Sequence, residues 1–213
     1  QTHSRLIAER FKTDHLEINA EEIGPEIIDR LANFYDEPFS DPSMIPTFLL
    51  SQSVKEHCTV ALGGDGADEL FGGYPSQLRA LQVHSMLKNI PMIARRSLSQ
   101  MLLEFLPVDI RGYPLIHSLG TDFTNISSSF NPLFYKKEMK RLFNFSQMKT
   151  INALDTRPDL LSSESNIQTY LSMLNMCDFK SFLSEDILVK IDRASMAHSL
   201  EVRSPFLSKE IIE

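Results

Sequence analysis

The sequence predicts an α/β fold in which a parallel sheet with flanking helices is followed by a mostly helical second half. Before residue 75, amphipathic stretches alternate with two short strand-like runs, an order typical of a parallel sheet with helices on its faces. After residue 75, residues 78–106 and 166–200 carry apolar side chains at helical spacing, and strand patterns are scarce. The chain is therefore interpreted as an α/β part at residues 1–107 and a helical remainder of the same domain at residues 108–213.

Five elements are predicted in the first half of the chain. In order they are helix, strand, helix, helix and strand, at residues 5–12, 13–18, 21–31, 41–57 and 59–62. Asp41 and Pro42 suit the cap and the first position of the third helix. The apolar run 59–62 meets a glycine cluster, as a buried parallel strand does at its carboxyl end. Later in the chain, residues 109–132 are rich in Gly, Pro, Ser and Thr and predict a long irregular connection.

The composition is that of an ordinary globular protein and argues against some function classes. The formal net charge is −7, whereas a nucleic-acid-binding protein needs a basic face. No apolar run approaches the roughly 20 residues of a membrane-spanning helix, so no membrane partner is expected. Cys58 and Cys177 lie far apart without metal-ligand spacing and are interpreted as free thiols. We therefore expect a cytoplasmic protein.

Residues 63–69 combine three glycines and three acidic residues directly after the predicted strand. Glycines let the backbone turn sharply and approach a ligand closely, and ligands of open parallel sheets lie beyond the carboxyl ends of strands. Asp65, Asp68 and Glu69 could then hold a magnesium ion that carries nucleotide phosphates. Asp65 and Asp68 could alternatively cap a helix, whereas the alternating spacing of a calcium-binding loop is absent.

Charged residues of both signs recur in the late apolar stretch 187–207. These residues, which could form structural ion pairs, are Lys190, Asp192, Arg193, Glu201 and Arg203. Alternatively, Arg203 or Lys190 faces anionic groups of a substrate, and Glu201 orients that cation. His198 has a side chain that titrates near neutrality when unperturbed, but a structural hydrogen-bonding role is favoured for it.

Four segments together carry a resemblance to a known family. Residues 64–74 (GDGADELFGGY) resemble the second signature of the glutamine-hydrolysing asparagine synthetases. Residues 5–15, 36–47 and 187–207 resemble, in order, the helix and strand before that signature, the loop and helix between the two strands, and the late helix with its substrate-side loop. The resemblance spans almost the whole chain and implies an adenine nucleotide alpha hydrolase-like fold, whose first strands would be missing from these residues.

The activity that this resemblance implies is a two-step synthesis of an amide. The side-chain carboxylate of aspartate attacks the α-phosphorus of ATP, which gives aspartyl-AMP and pyrophosphate. Ammonia, released from glutamine in a separate N-terminal glutaminase domain, then displaces AMP. A divalent metal is needed to bring a carboxylate and a triphosphate together. The implied partners are therefore aspartate, ATP, magnesium and ammonia or glutamine.

The resemblance also assigns roles to individual residues. Gly63 and Gly64 would line the AMP site through their backbone, and Asp68 would ligate magnesium. Asp65 stands where the family has an acidic residue in the acyl-adenylate and ammonia step, and Glu69 would support Asp68 or the loop. The complete set with implied catalytic roles is Asp65, Glu69, Glu201 and Arg203.

Parts of the family's site are not found in these residues. The pyrophosphate loop Ser-Gly-Gly-x-Asp-Ser and the glutaminase domain are absent, and a catalytic lysine is expected beyond Glu213. Because the chain also opens without Met, we expect a piece of a longer protein that is inactive alone. An unpaired strand edge would promote self-association, with a homodimer as one form.

Two departures from the family pattern leave the substrate open. Gly63 replaces a common serine, and Ser208 stands where an aspartate is usual. One alternative is a relative that adenylates another carboxylate, such as a β-lactam synthetase or a tailoring amidotransferase. Another is a non-catalytic binding module.

Overall fold

The computed structural model describes residues 2–17, 24–122, 134–153 and 169–213. Within these residues the α-helices are α1 Thr2–Phe11, α2 Glu26–Ala32, α3 Met44–Lys55, α4 Ala67–Phe71, α5 Pro75–Leu87, α6 Met92–Phe105, α7 Tyr113–Leu119, α8 Lys136–Leu142, α9 Phe145–Ala153, α10 Tyr170–Asp178, α11 Leu188–Met196 and α12 Lys209–Ile212. The strands are β1 Val60–Leu62 and β2 Glu201–Arg203. A π-helix spans Phe179–Ile187 and a 3-10 helix spans Pro205–Leu207.

The chain forms two compact units. Unit 1 comprises Gln1–Asp65 and Glu185–Ser208, and unit 2 comprises Gly66–Ser184 and Lys209–Glu213. The chain thus leaves unit 1 just after β1 and returns to it within the π-helix. The division after residue 107 remains a prediction.

The core of unit 1 lies between α2, α3 and α11. Ile27 and Leu31 of α2 meet Phe48 of α3 and Ala194 of α11, and all four side chains are at most 4% exposed. The guanidinium of Arg30 lies 5.1 Å from the centroid of the Phe48 ring and covers it from the solvent side. Because α11 packs on α3 in this way, the charged side chains of α11 are held in a fixed position within unit 1.

The sheet of unit 1 consists, within the described residues, of β1 and β2 in parallel. Leu62 lies opposite Arg203 at the carboxyl end of the pair, and the amide of Gly63 donates a hydrogen bond to the carbonyl of Arg203 at 2.8 Å. The predicted strand is therefore confirmed, but its predicted burial is wrong. Val60 and Leu62 are 42% and 73% exposed, since no further described strand or helix covers these positions.

The predicted helices of the first half are confirmed with shifted ends. α1 covers the first of them, and α2 begins only after Pro25, whose ring suits the residue before a first helical turn. α3 begins at Met44 rather than at Pro42. The carboxylate of Asp41 accepts a hydrogen bond from the amide of Ser43 at 2.8 Å, and this local turn delays the start of the helix.

Two other predictions about the backbone are corrected. Residues 13–17 form no strand, and Leu16 is 59% exposed. An alternating pattern becomes a strand only where a neighbouring strand takes its hydrogen bonds, and no described strand pairs with this segment. The connection at residues 109–132 contains α7, which starts after Gly112 at a φ of 109° with Pro114 in its first turn. Ile18 and residues 123–132 lie outside the described residues.

Unit 2 has helices as its regular structure within the described residues, as predicted for this part of the chain. α5 and α10 share a core of Ala80, Val83 and Leu174. The side-chain amide of Asn175 donates to the carbonyl of Leu70 at 3.0 Å and ties α10 to α4. No described helix is long and apolar enough to cross a lipid bilayer.

Candidate functional site

The end of β1 brings a glycine and a carboxylate together. A Cβ atom at Gly63 would lie 2.5 Å from Oδ2 of Asp65 and 3.2 Å from Cγ1 of Val202. Gly63 therefore leaves the space that the half-buried Asp65 carboxylate occupies. A serine here, as in the family pattern, would displace that carboxylate. Gly64 is exposed and a Cβ there would meet no atom within 4 Å, so its backbone is open to a ligand.

Glycines set both ends of the short helix α4. Gly66 precedes it at a φ of 88°, and Gly72 follows it at a φ of 73°. Both values lie in the left-handed region, which side chains with a Cβ adopt only at a cost of about 1 kcal/mol. No side chain caps the N-terminus of α4. The interpretation of Asp65 and Asp68 as helix caps therefore finds no support.

Asp68 presents an exposed carboxylate in unit 2. A Cβ atom at Gly73 would lie 1.9 Å from Oδ1 of Asp68, so Gly73 provides the space into which this side chain folds back. No hydrogen bond to the carboxylate is found within the described residues. Magnesium in nucleotide sites is typically held by one or two carboxylates plus water and phosphate. The exposed Asp68 fits that role, and the described residues contain no group of three or more His, Cys, Asp and Glu that could hold a metal.

Glu69 points into unit 2 and not toward solvent. It is 1% exposed and accepts a hydrogen bond from the hydroxyl of Tyr74. Burial, together with this hydrogen bond and the charge of Glu69, raises the pKa of Tyr74 far above its ordinary value. The pair closes the segment that runs from α4 into α5. This geometry favours the interpretation of Glu69 as a support for the loop.

A second polar pair, formed by the buried Gln77 and the half-buried Asp178, lies next to Glu69 and was missed by sequence reasoning. The side chain of Gln77, fully buried in α5, donates a hydrogen bond to Oδ2 of Asp178 at 2.7 Å. Burial raises the pKa of Asp178, and the nearby charge of Glu69 raises it further, although the hydrogen bond from Gln77 opposes them. Residues 77 and 178 stand 101 positions apart, so no local pattern indicates that they meet.

Lys190 is occupied by a structural ion pair in unit 1. Its ammonium donates to Oδ2 of Asp41 and to Oγ of Ser43, both at 2.8 Å. Arg193, one turn further along α11, pairs with Asp36. These contacts tie the loop before α3 to α11. Of the two alternatives left open for Lys190, the ion pair is the one that the structure contains.

Asp186 adds a second carboxylate to this cluster. Its Oδ1 is buried and has no hydrogen-bond partner within the described residues. Burial raises the pKa of Asp186, and the carboxylate of Asp41 raises it further. Burial acts in the same direction on Asp41, but hydrogen bonds from Lys190 and Ser43 hold the pKa of Asp41 below its ordinary value. Asp186 was not singled out from the sequence, because a single acidic residue in a helical pattern cannot be distinguished from an ordinary solvent-exposed one.

Arg203 lies at the same end of the sheet as Gly63, whereas Glu201 begins β2 opposite Val60. They are two residues apart on β2, and therefore on one face of it. Nε of Arg203 donates to Oε1 of Glu201 at 2.7 Å, and both side chains are more than half exposed. The guanidinium is thus oriented by Glu201 while its remaining donors stay accessible to solvent.

His198 has a packing role. Its ring centroid lies 4.2 Å from that of Phe48 in the core of unit 1, and Nε2 is buried without a hydrogen-bond partner in the described residues. Burial lowers the pKa of His198, and the charge of Arg30 lowers it further. The ring is therefore neutral near pH 7. Its position agrees with the predicted structural role, but the ring packs on Phe48 and its buried Nε2 forms no hydrogen bond within the described residues.

Comparison with known proteins decides the family. The family model described as asparagine synthase matches residues 1–213. The chain belongs to the asparagine synthase family. No solved structure matches the chain.

Curated relatives of this asparagine synthase chain come from bacteria and an archaeon. Asparagine synthetase (glutamine-hydrolyzing) 1 of Bacillus subtilis is 31% identical over 185 residues, which cover 84% of this chain and 28% of the relative. A Mycobacterium tuberculosis protein with the provisional name asparagine synthetase (glutamine-hydrolyzing) is 32% identical over 186 residues, which cover 84% of this chain and 27% of that protein. A Methanocaldococcus jannaschii protein, provisionally named asparagine synthetase (glutamine-hydrolyzing) 2, is 31% identical over 199 residues, which cover 90% of this chain and 36% of that protein. The chain thus spans roughly a quarter to a third of these relatives.

In this asparagine synthase chain, the half-buried Asp178 predicts an unusual dependence of stability on pH. Because its pKa is raised, the folded state binds the proton more tightly than the unfolded state does. The free energy of unfolding should therefore fall as pH rises from the ordinary to the raised pKa of the group. Asp178→Asn keeps the oxygen that accepts from Gln77 but cannot ionise, so this fall should disappear.

Urea unfolding in steps from about pH 4 to about pH 7 measures the effect. Asp109→Asn, at an exposed position of the same unit, is the matched control and should leave the wild-type curve unchanged. If the free energy of unfolding of Asp178→Asn fell with rising pH as steeply as that of the wild type, the raised pKa of Asp178 would be contradicted.

Proposed function

We propose that this chain forms part of a glutamine-hydrolysing asparagine synthetase and contributes one half of its ATP site. The observation that carries the proposal is the end of β1, where the exposed backbone of Gly64 adjoins the carboxylate of Asp65; Asp68 follows three positions later in the sequence. Ligands of parallel sheets lie at this edge of the strands. The family match and the names of the relatives support the same activity.

In the first step, a side-chain oxygen of aspartate attacks the α-phosphorus of ATP. The bond from that phosphorus to the bridging oxygen breaks, and pyrophosphate leaves with the electron pair. Gly63 and Gly64 would line the AMP moiety through their backbone, and Asp68 would hold magnesium. When bound, that ion screens the repulsion between the attacking carboxylate and the triphosphate.

In the second step, ammonia attacks the acyl carbon of aspartyl-AMP, AMP leaves, and the nitrogen loses a proton. Asp65, whose Oδ2 is held against Gly63, would accept a hydrogen bond from the incoming ammonia and orient it. The exposed guanidinium of Arg203 would pair with an anionic group of the substrate. Glu201 would keep that guanidinium in place through their 2.7 Å contact.

The remaining parts of the site would come from elsewhere in a longer protein. The relatives are named as glutamine-hydrolyzing. The matched region covers only 28% of the Bacillus subtilis relative and 36% of the Methanocaldococcus jannaschii relative. We infer that a pyrophosphate-binding loop and a glutaminase domain complete the enzyme. The 213-residue chain, supplied with ATP, magnesium, aspartate and ammonia, should then release no pyrophosphate. Sustained turnover by the chain would overturn this inference.

The full-length gene product provides the test of the activity itself. With ATP, magnesium, aspartate and either glutamine or ammonia, it should form asparagine, AMP and pyrophosphate in equal amounts. Omission of aspartate is the control and should abolish AMP formation. AMP formation only with a different carboxylate would point to a relative with another substrate, as the departures at Gly63 and Ser208 allow. Absence of AMP with every carboxylate would favour a non-catalytic binding module.

A further inference from the structure

A cavity of about 600 Å³ lies within unit 2, and its lining includes none of the proposed site residues. Its walls come from α6, α7 and α8, and its lining includes Arg96, Leu103, Tyr113, His117, Lys136 and Lys140. A volume of this size falls in the range of small-molecule sites, which run from about 300 to about 1,000 Å³. The cavity can therefore hold an organic ligand and not merely a few water molecules.

The inner wall of the cavity is aromatic and well fixed. Tyr113 is 2% exposed, and Tyr135 packs edge-on behind it with the ring centroids 4.6 Å apart. Oγ of Ser99 donates to the carbonyl of Ile116 at 2.8 Å and joins α6 to α7. A Cβ atom at Gly120 would lie 2.7 Å from Oγ of Ser99, so glycine permits this close approach. The buried Tyr113 ring thus fixes the wall from behind, and the half-buried side chain of Leu103 offers apolar surface to a ligand.

The lining of the cavity carries a net positive charge, because four cationic residues contribute to it together with one carboxylate, that of Glu104. Arg96, Lys136 and Lys140 are exposed, and none of them forms a hydrogen bond or an ion pair within the described residues. Lys137 differs from them, because its ammonium donates to the carbonyls of Leu103, Glu104 and Leu106 at 3.1, 3.0 and 2.9 Å. Three available cations around one cavity are notable in a chain whose net charge is −7. They favour a ligand with at least two negative charges.

One polar atom of the cavity lining lacks a partner. Nδ1 of His117 is buried, with no hydrogen-bond partner in the described residues. Burial lowers the pKa of His117, so its imidazole is neutral near pH 7 and can either donate or accept. A buried polar atom without a partner costs about 1–3 kcal/mol, and a bound ligand could supply the missing hydrogen bond.

We propose that this cavity binds a small organic phosphate. The phosphate lies at the rim among Arg96, Lys136 and Lys140, where a guanidinium can hold two of its oxygens. The apolar body of the ligand lies against the half-buried side chain of Leu103, and a polar atom of the ligand pairs with Nδ1 of His117. The proposal uses no residue of the proposed ATP site and stands independently of the proposed function.

Phenyl phosphate is a suitable probe because it has a phosphate and an aromatic body but no nucleotide. Titrated into the 213-residue chain, it should shift the side-chain NMR signals of His117 in a saturable way. Inorganic phosphate, which lacks the aromatic body, should bind at least about tenfold more weakly. Equal affinity for the two probes would contradict the role of the apolar wall at Leu103, and no saturable shift with either would overturn the proposal.

Matched variants test the rim. The double substitution Lys136→Gln and Lys140→Gln should weaken binding of phenyl phosphate by tenfold or more, since each charge-assisted contact is worth about a factor of ten. Lys88→Gln removes the same charge from the end of α5, at an exposed residue that does not line the cavity, and should leave the affinity unchanged. Equal loss in both proteins would indicate general charge attraction and would refute a defined site. Because all three lysines are exposed, the thermal midpoints should stay alike and exclude unfolding as the cause.

Discussion

Replacement of Asp68 by asparagine is expected to lower pyrophosphate release by the full-length protein about a hundredfold or more. The exchange removes one negative charge at the position proposed to hold magnesium and changes the volume little. Because the Asp68 carboxylate is exposed and makes no hydrogen bond within the described residues, the fold should tolerate the change. Pyrophosphate release, measured at saturating ATP over a series of magnesium concentrations, provides the readout.

The magnesium series separates a metal ligand from a general effect. If Asp68 holds the ion, the variant should need more magnesium to reach half of its own maximal rate. Asp109→Asn removes the same charge from another exposed position of unit 2 and should keep the wild-type rate and magnesium dependence. A wild-type rate for Asp68→Asn would exclude this residue from the metal site.

Replacement of Lys190 by methionine should lower the free energy of unfolding by about 3 kcal/mol. Lys190 and Asp41 are mostly buried, with side chains 13% and 17% exposed, and the change would leave Asp41 next to Asp186 without a cation between them. Urea unfolding near pH 7 measures the loss. Addition of Asp41→Asn to Lys190→Met should recover part of it, because the uncompensated charge is then removed as well.

The neighbouring ion pair offers a control on the same helix. Arg193 and Asp36 are 42% and 77% exposed, so Arg193→Met should cost no more than about 1 kcal/mol. The pH dependence adds a further check. Acidification protonates the two carboxylates near Lys190, and the penalty of Lys190→Met should therefore shrink as pH falls. Equal losses for the two variants, constant with pH, would contradict a buried charge cluster.

Local features of the site could be predicted from the sequence. The order of a short apolar run, glycines and carboxylates places Gly63 and Gly64 at the carboxyl end of a parallel strand, and the structure has them there. This worked because strand, turn and helix start are set by neighbouring residues. The strand predicted at residues 13–18 is not found at the described residues 13–17, for the opposite reason. A strand depends on its partner, and the pattern around Leu16 contains no information about one.

Contacts between distant parts of the chain could not be predicted. Lys190 and Asp41 are 149 positions apart, and their pairing depends on how α11 packs on α3. The burial of Glu69 is a similar case, because the sequence presents it as one of three equivalent acidic residues. The helix turns Glu69 toward Tyr74 and leaves Asp68 on the outside. Three carboxylates that look alike in the sequence thus acquire different environments only in the folded chain.

The interruption of unit 1 by unit 2 has a consequence for the order of folding. β1 and β2 pair across about 140 intervening residues, and closing so long a loop carries a large entropic cost. During synthesis, the ribosome must complete all of the inserted segment before α11 and β2 exist. Unit 2 can therefore fold first. Until α11 is synthesised, the N-terminal part of unit 1 keeps the apolar side chains of α2 and α3 uncovered. We expect chaperone binding and early aggregation of the nascent chain at this N-terminal part of unit 1.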